Sequence, residues 1–286
     1  MQDHRSRWLV ETDWLAANLA APDVVVVDGS WHMPATGRKA RTEHSEQRIP
    51  GAVFFDIDEI RDENSALPHM LPSTVKFSSR MRKLGIGDGA RIVVYDSIGL
   101  YSAPRVWWML RAMGKDDVAV LNGGLPKWLA EGRPIKDGPP RARIEKHFTA
   151  RLNRELLRER DDIVQALSSG TEQIADARSS GRFEGREPEP WPGLRSGHMP
   201  QARSVPFTEL VAADGTLKPN DDLRRIFSER GLDLTRPIIT TCGSGVTAAI
   251  DLLALAVLGH QQTALYDGSW SDWGADPSLP IATGPA

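Results

Sequence analysis

Cysteine is almost absent from this chain of 286 residues, since Cys242 is the only one. A single thiol excludes an intrachain disulfide framework and a cysteine-rich zinc site. Uninterrupted apolar stretches are also short, and none reaches the roughly 18–20 residues that a membrane-spanning helix needs. The first residues lack the basic and then apolar pattern of a secretory signal. We therefore expect a soluble cytoplasmic protein without a metal site or membrane contact.

Neither sign of charge is in large excess. The chain has 35 Lys and Arg against 38 Asp and Glu, a formal net charge of −3 and a pI of about 6.2. Such a balance argues against a general nucleic-acid binder. A hydrophobic content of 40% is sufficient for sizeable cores, and the length favours two domains or one large domain.

The chain contains an internal repeat, which indicates two copies of one fold. Four landmarks recur in the same order, with 144 to 150 residues between the members of each pair. The pairs are Asp28 and Asp176, Pro50 and Pro200, Asp96 and Cys242, and Gly124 and Gly268. A segment rich in proline, glycine and charge separates the copies. We predict an N-terminal domain over residues 1–138, a linker over 139–150 and a C-terminal domain over 151–286.

Strand-like and helix-like segments alternate within each half. Residues 24–27 are four valines, which is typical of a strand buried on both faces. The segments TVKFSSRMRKLG and SAPRVWWMLRAMG predict helices in the first half, as DDLRRIFSERG and TAAIDLLALAVLG do in the second. We therefore expect the α/β class, with two tandem domains, each a mainly parallel sheet with helices on both faces. The charged stretch RELLRERDD is interpreted as the exposed face of a helix.

Cys242 lies in the sequence CGSGVT, between the predicted strand PIITT and a predicted helix. Sites in open α/β sheets form beyond the carboxyl ends of the strands. Gly243 and Gly245 leave the backbone amides uncovered, and with the helix N-terminus these amides favour an anion such as a thiolate. A cysteine phosphatase needs arginine where Ala248 stands, and a P-loop needs a lysine after the glycines. The loop therefore predicts a nucleophilic thiol.

Several motifs together resemble the two-domain sulfurtransferases of the rhodanese family, over nearly the whole chain. They are IPGAVFFDID, LPHMLPS, DARSSGRFEG, SGHMP, CGSGVTA and YDGSWSDWG. More narrowly, the chain resembles the members that use 3-mercaptopyruvate. The resemblance implies two rhodanese-like domains, with the cysteine in the second and a catalytically silent first, as Asp96 at the cysteine position also indicates. It implies that sulfur passes from 3-mercaptopyruvate through a Cys242 persulfide to a thiol, such as thioredoxin, or to cyanide, releasing pyruvate without a cofactor.

The same resemblance implies roles for particular residues. Cys242 would be the nucleophile, and Ser244, His69 and Asp58 would form a relay that moves protons at the donor. Arg182, in SGRFEG, would bind the donor carboxylate. The loop would complete the substrate site through Gly243, Gly245, Val246 and Thr247. Purely structural roles for Asp58, His69 and Arg182 remain alternatives.

The donor remains open, because this chain departs from the family pattern. Mercaptopyruvate members usually carry a second arginine after the PEP segment, where Trp191 stands here. Thiosulfate:cyanide sulfurtransferase activity is the alternative, although such members have basic residues at the positions of Gly243 and Ser244. A non-enzymatic persulfide carrier or partner-binding module is a third possibility. We expect a monomer or weak dimer without nucleic-acid partners.

Overall fold

The structure, a computed structural model, describes residues 4–140 and 143–286, which form two compact units. Unit 1 comprises the chain up to Asp62, Leu71–Asn153 and Ala213–Leu217. Unit 2 comprises Glu63–Met70, Arg154–Ala212 and Lys218–Ala286. The domain boundaries drawn from the sequence remain a prediction. Residues 1–3 of the predicted first domain and residues 141 and 142 of the predicted linker lie outside the described residues.

Unit 1 contains a five-stranded parallel sheet. Its strands are β1 (Leu9–Val10), β2 (Val24–Asp28), β3 (Val53–Phe54), β4 (Arg91–Tyr95) and β5 (Val118–Leu121). Their order across the sheet is β1-β5-β4-β2-β3. Its helices are α1 (His4–Trp8), α2 (Thr12–Asn18), α3 (Ala40–Glu46), α4 (Thr74–Lys83), α5 (Ala103–Ala112) and α6 (Gly124–Ala130), with a 3₁₀ turn at Pro34–Thr36.

Unit 2 repeats this topology with a second five-stranded parallel sheet. Its strands are β6 (Leu157–Arg158), β7 (Gln173–Asp176), β8 (Arg203–Ser204), β9 (Ile238–Thr241) and β10 (Thr263–Tyr266). They lie in the order β6-β10-β9-β7-β8, which matches the order in unit 1. Its helices are α7 (Arg160–Ser169), α8 (Ser180–Phe183), α9 (Asn220–Glu229), α10 (Ala248–Val257) and α11 (Ser269–Trp273), with 3₁₀ turns at Arg154–Leu156 and Phe207–Glu209. The predicted α/β class and the internal repeat are confirmed.

Local sequence explains where these elements begin and end. The valines of β2 are all buried, as a strand covered on both faces requires. Ser73 caps α4 by accepting a hydrogen bond from the amide of Lys76, and Gly85 adopts a φ of 69° just past its end. All ten residues of α10 are buried, so this helix lies inside unit 2.

The interpretation of RELLRERDD as one helix face is wrong. Its first residues form the 3₁₀ turn, its middle forms β6, and α7 begins only at Arg160. The amide of Glu159 bonds the side chain of Asp162, which caps α7. β6 is stabilised by parallel pairing with β10. That partner is more than a hundred residues away in sequence, so the local charge pattern does not reveal it.

Among the described residues, no helix is both long enough and apolar enough to cross a membrane.

Candidate active site

The loop that carries Cys242 directly follows β9 and leads into α10. Cys242 is only 2% exposed. Gly245 has a φ of 77°, in the left-handed region that favours glycine, and Thr247 is the N-cap residue of α10. The thiol therefore lies at the carboxyl end of a central strand and close to a helix N-terminus, as the sequence predicts.

Helix α11 anchors this loop through hydrogen bonds to its backbone. The amide of Cys242 donates to Ser269 Oγ over 3.2 Å, and the amide of Trp270 donates to the carbonyl of Cys242 over 2.9 Å. The amide and the hydroxyl of Ser271 both donate to the carbonyl of Gly243 at 2.8 Å. The motif DGSWSDWG therefore fixes the shape of the cysteine loop.

Asp96 occupies the corresponding loop in unit 1, and its geometry shows what this loop conformation binds. The carboxylate of Asp96 is 1% exposed and accepts five backbone amides at 2.8–3.0 Å. The donors are the amides of Ile98, Gly99, Tyr101, Ser102 and Ala103. The matching residues 146 positions later are Ser244, Gly245, Thr247, Ala248 and Ala249. In unit 1 the loop is thus a nest for an anion, and Asp96 fills it.

Ser244 and His69 are brought together in unit 2. His69 Nδ1 lies 3.1 Å from Ser244 Oγ, and the two residues are only 3% and 7% exposed. His69 belongs to the segment Glu63–Met70, which is part of unit 2 although it comes from the first half of the chain. Its φ of 62° lies in the left-handed region, which costs a non-glycine residue about 1 kcal/mol or more. The surrounding structure therefore holds this histidine in a strained conformation.

Asp58, the third member of the predicted relay, lies in unit 1. Its Oδ2 accepts a hydrogen bond from Trp31 Nε1 at 3.0 Å, and its amide donates to Asp56 Oδ1. These contacts fix the carboxylate of Asp58 within unit 1, and its place in a relay with His69 stays a prediction.

Arg182, on α8, lies against the cysteine loop. A Cβ atom added to Gly243 would be 2.9 Å from Arg182 Nη2, so the absence of a side chain there leaves space for the guanidinium. The same Nη2 donates to Glu189 Oε2 at 2.5 Å. Glu189 Oε1 accepts from Arg178 Nη1 at 2.7 Å, and both Glu189 and Arg178 have almost fully buried side chains. Glu189 therefore holds Arg182 beside the loop.

The two arginines nearest in sequence to the position expected for a second arginine have other partners. Trp191 stands at that position and is half-buried. Arg186 pairs with Glu184. Arg195 donates to backbone carbonyls, among them that of Trp273, after α11. Of these three arginines, Arg182 is thus the one that lies against the cysteine loop.

Sequence reasoning missed Glu189 and the bonding role of Ser269 and Ser271. Glu189 lies in the PEP segment directly before Trp191, but neither its spacing nor its charge indicates that it is buried between two arginines. Among residues 4–140 and 143–286, no cluster of three or more His, Cys, Asp or Glu side chains could hold a metal ion.

Fold and site together define a class of protein: two parallel α/β units of one topology, the second with a thiol on its strand–loop–helix turn. The rhodanese-like domain family matches residues 11–131 and 159–276. The chain therefore belongs to the rhodanese-like family.

Curated relatives extend this match over almost the whole chain. The chain is 44% identical to the 3-mercaptopyruvate sulfurtransferase of Escherichia coli K12, over 96% of this chain and 97% of the relative. It is 41% identical to the human protein of the same name, over 93% and 92%. It is also 43% identical to the thiosulfate sulfurtransferase of Rattus norvegicus, over 93% and 92%. Overall identity thus barely separates the two donor classes.

Solved structures show the same fold. The crystal structure of SseA from Escherichia coli superimposes with a TM-score of 0.85 at 43% identity, and covers 92% of this chain and 98% of that one. The Tum1 protein from Saccharomyces cerevisiae gives a TM-score of 0.90 at 29% identity, over 98% and 99%.

Proposed function

We propose that this chain is a sulfurtransferase that takes sulfur from 3-mercaptopyruvate onto Cys242 as a persulfide, releases pyruvate, and passes the sulfur to a thiol or to cyanide. The Cys242 thiolate attacks the donor sulfur and forms an S–S bond. The carbon–sulfur bond breaks, and its electron pair remains on carbon as the enolate of pyruvate. The proton of the donor thiol moves to that carbon, leaving a persulfide anion. An acceptor thiolate or cyanide then attacks the terminal sulfur and restores the Cys242 thiolate.

The observation that carries the choice of donor is the contact between Ser244 Oγ and His69 Nδ1 at 3.1 Å, two residues from the nucleophile. An enolate leaving group must collect a proton, and a serine–histidine pair can deliver one at neutral pH. Sulfite, which thiosulfate would leave behind, needs no such proton. The relay therefore favours 3-mercaptopyruvate over thiosulfate, with Asp58 proposed to orient the imidazole.

Two further features support the site. Arg182 lies against Gly243, where its guanidinium can bind the donor carboxylate. The amides that correspond to the five around Asp96 would stabilise the persulfide anion on Cys242. In this arrangement the backbone of Gly243, Gly245, Val246 and Thr247 shapes the substrate site.

The test is kcat/KM for 3-mercaptopyruvate and for thiosulfate, measured with one common acceptor. We expect a strong preference for 3-mercaptopyruvate that Ser244→Ala and His69→Asn each reduce at least tenfold, with a smaller effect on thiosulfate. Cys242→Ser should abolish transfer from both donors. A preference for thiosulfate that both variants leave intact would establish the thiosulfate:cyanide activity instead. Binding of sulfane sulfur without turnover of either donor would indicate a persulfide carrier.

Arg182→Ala is expected to raise KM for 3-mercaptopyruvate about tenfold or more, because it removes the carboxylate partner. An unchanged kcat/KM would remove Arg182 from the donor site.

We further propose that the acceptor is a protein thiol such as that of thioredoxin, and that the chain acts in the cytoplasm as a monomer or weak dimer. The lone Cys242 supports transfer to a separate acceptor, because a second thiol nearby could discharge the persulfide as a disulfide. Pyruvate release that accelerates with reduced thioredoxin, but not with its oxidised form, would identify the acceptor.

A further inference from the structure

Asp251 is a buried acid that the proposed mechanism does not use. It lies in the first turn of α10 and is the only charged residue in that helix. Its exposure is 0%, and neither carboxyl oxygen has a hydrogen-bond partner among the described residues. An ionised carboxylate without partners is strongly disfavoured in such surroundings, so the neutral form is favoured.

The charged groups around Asp251 also favour its neutral form. Burial raises the pKa of Asp251 well above its ordinary value, and negative charge at Cys242, Asp176 and Glu209 raises it further. Two of these acids are compensated by ion pairs, Asp176 with Arg178 and Glu209 with Arg230.

Among the described residues, the elements that pack most closely against α10 bring one group whose charge changes in sulfur transfer. They are β9, which leads into Cys242, the 3₁₀ turn that ends at Glu209, and β10, which ends at Tyr266. The Tyr266 hydroxyl donates to Asp272, and burial keeps its pKa above the ordinary value, so it stays neutral. Cys242 is therefore the neighbour to which the charge of Asp251 is coupled.

The internal repeat gives independent support. Asp251 follows Cys242 by nine residues, and Arg105 follows Asp96 by nine residues in the first half. Arg105 is likewise 0% exposed. Where the loop holds a carboxylate bound by five amides, the equivalent helix position carries an arginine. Where the loop holds a sulfur that gains and loses charge, that position carries an acid that can stay neutral.

We propose that Asp251 is a positioning residue for sulfur transfer: it keeps its proton while Cys242 is a thiolate or persulfide, and its ionisation in alkali opposes the negative sulfur and slows the reaction. The transfer step rests on the proposed function, whereas the coupling between Asp251 and Cys242 does not. Because the coupling is mutual, a charge on either group makes a charge on the other less favourable.

The test is the alkylation rate of Cys242 by iodoacetamide across pH, in the full chain and in Asp251→Asn. Cys242 is the only cysteine, so the label reports this thiol alone. The ratio of the wild-type rate to the Asp251→Asn rate should fall at least fivefold between about pH 7 and about pH 10, because only the wild type gains the opposing charge. Asp221→Asn, at a fully exposed position on α9, should keep a constant ratio.

Infrared difference spectra give a second readout. At neutral pH we expect a protonated-carboxyl band in the wild type that Asp251→Asn lacks. In Cys242→Ser, the carboxyl group should ionise, and the band disappear, at a lower pH than in the wild type. If the asparagine variant does not fold, Asp251→Leu supplies the same comparison. Absence of the band in the wild type, or coincident alkylation profiles up to about pH 10, would overturn the proposal. Neither readout requires a sulfur donor, so a failed proposed function would be recognised separately by donor kinetics.

Discussion

Two neighbours determine where the guanidinium of Arg182 lies. Glu189 bonds it at 2.5 Å, and Gly243 leaves open the space that a side chain would occupy. Gly243 was singled out in the sequence because it is uncharged, a feature that argues against a basic thiosulfate-type loop. The structure adds a steric reason, since a Cβ atom there would meet Arg182 Nη2 at 2.9 Å.

Gly243→Ala should therefore move Arg182 while leaving the fold intact. The clash falls on the far end of a flexible side chain, and the φ of Gly243 is not among the left-handed values. We expect KM for 3-mercaptopyruvate to rise about threefold to tenfold. The free energy of unfolding should fall by less than it does in Glu189→Gln, because Glu189 keeps its pair with Arg178. Steady-state kinetics and urea unfolding measure the two quantities. An unchanged KM would show that Arg182 does not hold the donor.

Glu189→Gln should be much more costly to stability. Glu189 is 1% exposed at its side chain and bonds two arginines. Its loss takes away the carboxylate partner of Arg182 and leaves the buried Arg178 with only Asp176 of its two carboxylate partners. Breaking a buried pair typically costs about 3–5 kcal/mol. Urea unfolding should show a loss of that order, whereas Glu184→Gln, at the more exposed pair with Arg186, should have a far smaller effect because solvent screens that pair. Equal effects of the two variants would contradict the buried-network account.

At the scale of elements, α8 and the segment after the PEP motif are joined through His198. Its Nδ1 donates to the carbonyl of Phe183 at 2.8 Å, and its ring stacks on that of Phe183 at 3.7 Å between centroids. Burial lowers the pKa of His198 from its ordinary value, although the bond to Phe183 partly opposes this. Burial alone lowers the pKa of His260, just after α10, in the same direction.

Unit 2 should therefore lose stability as the pH falls. Below the ordinary histidine value of 6.5, the unfolded chain takes up protons that the folded chain binds less readily, which favours unfolding. We expect the free energy of unfolding to fall between about pH 7 and about pH 5, and His198→Gln to reduce that fall. Urea titrations at both pH values measure it. His147→Gln serves as the exposed control in unit 1. If it reduced the loss of stability at low pH as much as His198→Gln does, burial of His198 would not be the cause.

At the scale of the whole molecule, one topology is used twice with different chemistry. The loop of unit 1 is filled by its own carboxylate, whereas the loop of unit 2 carries a thiol. The supporting residues differ as well, since Ile98 corresponds to Ser244 and Pro34 corresponds to Arg182 in the repeat. A thiol placed in unit 1 would therefore lack both the hydroxyl of the proposed relay and the arginine proposed to bind the donor.

Asp96→Cys combined with Cys242→Ser is expected to show no sulfur transfer for this reason. Loss of a carboxylate that accepts five amides should also lower the stability of unit 1 by roughly 2–4 kcal/mol. Pyruvate release from 3-mercaptopyruvate and tryptophan fluorescence during urea unfolding measure the two effects. Substantial turnover by the double variant would mean that the nest alone suffices for catalysis.

The sequence by itself determined the repeat, the α/β class and the loop of Cys242, because these depend on local patterns: runs of β-branched residues, helical periodicity, and glycines after a strand. The structure places these features where the sequence predicts them. The prediction for RELLRERDD was wrong because part of this stretch forms a strand that pairs with a strand far away in the sequence.

Only the tertiary structure decided which distant residues meet. It brought His69 to Ser244, placed Glu189 between two arginines, and showed that Ser269 and Ser271 hold the cysteine loop. It also buried Asp251, in the first turn of the helix that follows that loop, with no hydrogen-bond partner among the described residues. The physical reason is that burial and pairing depend on side chains far apart in sequence, so no local pattern encodes them, although the chemistry of the proposed site depends on them.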